Sequence, residues 1–168
     1  MSILFSEISR MNLFHSFNNK ECVQLLDLFF HEENYALNQM IIEYGQLQTK
    51  FFVIVAGEVE VFKMIDQKKV VLGQLSAGQF FGEMNLFNPG LATATVTALT
   101  PVKTLEISNI MFRRFLAQKP QYAADFTFQL AETIVKRLRS SHEVIEHELM
   151  SPRALELGEK LDINRMQA

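Results

Sequence analysis

The residues with the most chemistry to offer run Phe80-Phe81-Gly82-Glu83-Met84-Asn85-Leu86-Phe87-Asn88-Pro89-Gly90-Leu91-Ala92-Thr93-Ala94-Thr95-Val96. Gly82 has no Cβ, so a ligand or another backbone can approach it closely. A helical turn starting just after it would point unpaired N–H groups, and partial positive charge, at an anion. Glu83 supplies a fixed carboxylate that accepts hydrogen bonds from hydroxyls. The plainer reading of the same residues is a tight turn with a surface acid. Taken alone, the stretch slightly favours the plainer reading.

Other chemistries fit the chain poorly. The histidines are His15, His31, His142 and His147, and none falls between 32 and 141. A strand-borne metal site therefore lacks its imidazoles, and His142 and His147 are badly spaced to chelate from one helix face. No G-x-S-x-G and no Walker loop occurs, so no enzyme, metal or cofactor is expected. Cys22 is the only cysteine, which rules out an internal disulfide and fits a reducing compartment. Its place among apolar neighbours makes it a small core residue rather than a reactive thiol. The net charge of −3 argues against a nucleic-acid-binding face over the whole molecule. No apolar run approaches the ~20 residues that cross a bilayer, and the first residues lack a signal peptide's basic lead. These features point to a cytoplasmic protein with no membrane and no nucleic-acid partner.

Three textures follow one another along the chain. Residues 1–30 read as helical, with Ile8, Met11, Leu13, Phe14 and Phe17 forming an apolar set. A second pattern there joins Cys22, Val23, Leu25, Leu26, Leu28 and Phe29 at helical spacing. Residues 34–107 read as short strands with turns every eight to twelve residues. Phe51 to Val55 is an apolar run, Ala56-Gly57-Glu58 breaks it, and Val59 and Val61 then alternate with Glu58 and Glu60, which suggests a hairpin. A charged turn over Asp66 to Lys69 precedes the strand beginning Val70-Val71-Leu72. Residues 108–150 return to helical period. Ser108 can cap a first helix, Lys119-Pro120 separates it from a second, and the long pattern runs over 121–150. Along it Leu130, Ile134, Leu138, Ser141, Ile145 and Leu149 form a near-heptad stripe, able to pack within its own domain or to pair with a second copy. Residues 151–168 suffice for one short helical tail. With fifteen Phe and no Trp, the core is expected to be built on phenylalanine.

This layout resembles the cyclic-nucleotide-binding domain, the β-roll of catabolite-activator-type regulators, protein kinase A regulatory subunits and cyclic-nucleotide-gated channels. The resemblance covers roughly residues 10–150 and rests on three glycine-bearing turns in order. These are Ile42-Glu43-Tyr44-Gly45, the strand-turn-strand Phe52-Val53-Ile54-Val55-Ala56-Gly57-Glu58-Val59-Glu60-Val61, and Leu75-Ser76-Ala77-Gly78-Gln79-Phe80-Phe81-Gly82-Glu83. It implies a mostly β fold with flanking helices: an antiparallel, jelly-roll-like β-roll with N-terminal helices, a short cassette helix and a long C-terminal helix. One domain then spans 1–150, with no DNA-binding domain in 151–168.

In that family the backbone of the cassette helix holds a cyclic phosphate, a Glu takes the ribose 2′-hydroxyl, and an Arg before the next strand grips the phosphate. By resemblance the ligand-binding set is Phe81, Gly82, Glu83, Met84, Ala92 and Thr93, with Ser141 and His142 of the long helix near the base. The same polar pair also reads as an ordinary exposed helix face. The chain departs from the family where Ala92 occupies the Arg position. An alanine offers neither charge nor fork. A charge-assisted hydrogen bond is worth about 1.5–3 kcal/mol, so its loss costs roughly one to two decades of affinity. Thr93, or Lys136, Arg137 or Arg139 of the long helix, could assist a phosphate held by backbone donors. The reading is a regulatory sensor domain that binds a cyclic nucleotide (cAMP or cGMP) or a related anion weakly. The alternative is a ligand-free β-roll that serves as a protein-interaction or dimerisation module. A homodimer through the 121–150 helix is expected.

Overall fold

The computed structural model describes residues 5–8, 11–17, 24 and 26–149. The chain divides into two compact units, Met1–Phe126 and Thr127–Ala168. Among the described residues of the first unit ten strands follow one another: β1 His31–Tyr35, β2 Met40–Ile42, β3 Leu47–Gln48, β4 Lys50–Ala56, β5 Glu58–Ile65, β6 Lys68–Ser76, β7 Phe80–Phe81, β8 Gly90–Leu91, β9 Thr95–Ala98 and β10 Val102–Ser108. They form two four-stranded antiparallel sheets, β1-β10-β4-β7 and β2-β9-β5-β6, and a ribbon β3-β8. This is the expected antiparallel β-roll. Its strands begin at His31, three residues before the change of texture at 34.

The apolar run in β4 is buried on both faces, as a continuous run allows. Phe52 and Ile54 point between the sheets, where they join Ile42, Val59, Phe81, Ala92, Val96, Ala98 and Val102. Phe51 points the other way, with its ring 5.3 Å from Phe80 and 6.0 Å from Phe126. On that outer side Phe14 meets Phe30 at 5.6 Å and Phe126 at 5.7 Å, and Phe17 meets Tyr122 at 5.2 Å. Such tilted and edge-on pairs add about 0.5–1.5 kcal/mol each beyond area burial. The phenylalanine core is therefore real, and Ile8, Met11, Leu13, Phe14 and Phe17 are all buried in it. The second N-terminal pattern lies mostly outside the described residues. Of its described members Leu26 and Phe29 are buried and Leu28 is exposed.

The break at Ala56-Gly57-Glu58 is not a hairpin. β4 and β5 belong to different sheets, and the chain crosses between them at Gly57. Gly57 has φ +89°, and a Cβ there would lie 2.3 Å from the Pro101 carbonyl oxygen. Only glycine can cross so close to a neighbouring backbone. The hairpin is the next one, β5–β6, closed by Asp66-Gln67 with φ 48° and 63°. Two positive φ values make the turn twist that suits antiparallel strands, which is why the turn is two residues and not four.

After β10, Ser108 caps the helix Asn109–Gln118 by accepting from the Met111 N–H at 3.3 Å. The long helix Pro120–Leu149 then starts on its proline, as expected. Within the second unit the stripe drawn from Leu130 divides. Leu130 is buried, whereas Leu138 is 55% exposed and shares its exposure with Phe128 and Val135. Each step of four residues advances about 40° around a helix, so a 4-4 run drifts off its face. Residues 144–149 belong to the helix, but their side chains lie outside the description.

Candidate functional site

The cassette is assembled by β4, β7 and the short helix Glu83–Phe87. Gly82 caps that helix with φ 76° and ψ 17°. A Cβ at Gly82 would stand 2.8 Å from the Lys50 carbonyl oxygen and 3.3 Å from the Phe52 ring. Glycine is thus required twice, by conformation and by space. The Gly82 carbonyl accepts from the Asn85 N–H at 3.1 Å and closes the first turn. At the other end the Asn109 side-chain amide donates to the Leu86 carbonyl, and the Phe87 ring sits edge-on to Phe112 at 5.9 Å. Leu86 is fully buried. These anchors fix a helix too short to hold itself.

Glu83 is half-buried, and among the described residues none pairs with its carboxylate. It remains free to accept hydroxyls. The Phe81 ring lies flat on Phe52, at 4.7 Å and 7°, inside the roll. Met84 is exposed, so what it adds to the cassette is its backbone. Ala92 is 6% exposed, and its methyl belongs to the apolar cluster between the sheets. Its backbone is spent on the 45–46 turn: Ala92 N–H donates to the Gln46 carbonyl, and Gly45 N–H donates to the Ala92 carbonyl, both at 2.9 Å. Thr93 is exposed. Leu91 is 67% exposed and pairs in register with Leu47, so it does not plug the interior. Ser141 and His142 lie in the second unit, where the Ser141 hydroxyl donates to the Arg137 carbonyl at 2.9 Å and His142 is exposed. The first unit therefore brings Phe81, Gly82, Glu83, Met84 and Ala92 into one neighbourhood.

Sequence reasoning missed a polar group on the same inner face as Phe52. Glu106 pairs in register with Phe52 and is 2% exposed. Its carboxylate accepts from the Tyr35 hydroxyl, from Thr104 Oγ1 at 3.1 Å and from Lys50 Nζ at 2.8 Å. A buried charge is tolerable only with such partners. Burial, then the hydrogen bond and negative charge of Glu106, push the Tyr35 hydroxyl well above the usual phenol range. The only sequence signal was a glutamate set between Leu105 and Ile107 in a short strand. Among the described residues no group of three or more His, Cys, Asp or Glu could hold a metal ion. No described helix is long and apolar enough to cross a membrane.

A β-roll of this topology, with a left-handed glycine and a glutamate opening a short helix between β7 and β8, defines a class. Residues 32–119 match the family model of the cyclic nucleotide-binding domain, and the chain belongs to that family. It is 32% identical over 115 residues to the cAMP-activated global transcriptional regulator CRP of Haemophilus influenzae, covering 66% of this chain and 51% of that protein. A cAMP-dependent protein kinase regulatory subunit of Mycosarcoma maydis is 39% identical over 64 residues, 38% of this chain and 12% of that protein. A solved cyclic nucleotide-binding domain from Methylobacillus flagellatus superposes with a TM-score of 0.74 at 22% identity, covering 87% of this chain and 82% of that one. The chain spans about half the length of the CRP-type regulators it matches. These relatives are regulators and regulatory subunits.

Proposed function

We propose that this chain is the sensor part of a regulatory protein and takes a cyclic nucleotide weakly at the Gly82–Glu83 cassette. One observation supports the reading: Gly82, with φ 76°, opens the short helix that begins at Glu83, while Ala92 is sunk in an apolar cluster. The Haemophilus relative is named as cAMP-activated, which supports cAMP as the first ligand to try. Glu83 takes a ribose hydroxyl, and the apolar wall of Phe52, Phe81 and Ala92 lies beside it. Without a guanidinium at position 92, binding is weaker by roughly 10- to 100-fold than a charged contact would give.

Calorimetry with cAMP and cGMP up to millimolar concentration tests this. Saturable heat from one of them is expected, lost in Glu83→Ala and strengthened roughly 10- to 100-fold in Ala92→Arg. Silence from both nucleotides in the wild type would overturn it. The close packing of Ala92 with Phe52 and Phe81 favours a second reading, a ligand-free roll that works through protein contacts, and that silence would select it.

We also propose that the long helix pairs with a second copy. Phe128, Val135 and Leu138 are exposed, and their spacing of seven and three residues is that of a coiled-coil seam.

A further inference from the structure

The geometry points to Lys63 as the counter-charge for an anionic ligand in the roll, a role that rests on the cassette being the ligand site. β5 runs beside β9 in the register Val59↔Ala98, Val61↔Val96 and Phe62↔Thr95. Val59 belongs to the inner cluster and Val61 packs against it, so Lys63, two residues on, shares that inner face. Continuing the register by one residue sets Lys63 beside Ala94, two residues along the chain from Ala92.

The Lys63 ammonium lies 5.6 Å from the centroid of the Tyr44 ring. Tyr44 is itself tied to the strand that follows the cassette. Its N–H donates to Thr95 Oγ1 at 3.2 Å, and the next residue, Gly45, bonds to the Ala92 carbonyl at 2.9 Å. Ammonium, ring and the Ala92 backbone therefore occupy one patch.

The other lysines on the strands differ from Lys63. Lys50 pairs with Glu106, Lys69 with Glu60, and Lys103 with Glu7 and Glu32. Lys68 is exposed beside the hairpin turn. Lys63 is half-buried, and among the described residues no carboxylate neutralises it. An aromatic face holds a cation in place without cancelling its charge. A flexible ammonium can then swing to an oxyanion docked against Ala92, acting as a point charge and not as a fork.

Two probes separate this inference from the cassette reading: cAMP, which carries ribose and anion, and inorganic phosphate, which carries the anion alone. Binding to wild type, Lys63→Gln, Lys63→Arg and Glu83→Ala is followed by amide chemical-shift titration, which also reports that each variant is folded. Lys63→Gln is expected to weaken both probes about tenfold, Lys63→Arg to preserve both, and Glu83→Ala to weaken cAMP only. Phosphate bound through Lys63 with no response to cAMP would sink the cyclic-nucleotide reading and leave an anion site at the cassette with Lys63 as its counter-charge. Lys63→Gln binding both probes as wild type does would overturn the role of Lys63 and leave the cassette reading intact. A wild type that binds neither probe would overturn both.

Discussion

Gly82 does two jobs that no other residue can share. Its positive φ costs an L-residue about 1–2 kcal/mol, and its missing Cβ leaves room for the Lys50 carbonyl. Gly82→Ala is therefore expected to lose more than the conformational cost alone, because the 2.8 Å approach to backbone must also be relieved. Urea unfolding measures it, and a midpoint equal to the wild type's would show that the turn relaxes freely. Ala92 poses the opposite problem. Arginine there would place a guanidinium among Ile42, Phe52 and Phe81. The free protein should lose stability with Ala92→Arg even as the nucleotide complex gains it.

At the level of elements, Glu106 ties three strands into one sheet face. Tyr35 of β1, Lys50 of β4 and Thr104 of its own strand β10 all donate to it. The Tyr35 hydroxyl sits above its ordinary value because it is buried against a carboxylate. A raised folded value adds stability below the unfolded value of about 10, and that stability is lost as pH rises through the folded value. Wild type should therefore weaken more steeply than Tyr35→Phe above about pH 10. Parallel stability curves for the two proteins would exclude the link. The turn at Asp66, the Ser108 cap and the proline start of the long helix were legible because each is local. The partition of β4 and β5 into different sheets was not, because a glycine turn reads alike in a hairpin and in a crossing.

For the whole molecule, the open question is what covers the exposed side of the long helix. Phe128, Val135 and Leu138 are each roughly half exposed or more on a helix whose Leu130 is buried. A second copy supplying the matching seam is expected to give a dimer by light scattering at micromolar concentration. Leu138→Glu should shift it to monomer without changing helical content. A monomer at every concentration, in wild type and variant alike, would remove the dimer.

By itself the sequence determined what depends on neighbours along the chain. The succession of strands and C-terminal helices, the glycine turns, a phenylalanine core and the short turn after Gly82 were all legible, since spacing and backbone preference act over a few residues. The same local reading placed Ala92 at a position that usually carries charge. Tertiary structure alone decided what surrounds that alanine: an apolar cluster drawn from both sheets, and a backbone bonded to the 45–46 turn. It also decided that Glu106 is buried and that Leu130 and Leu138 part company on their helix. Burial and cross-strand pairing join residues dozens of positions apart, and no local pattern encodes which of them will meet.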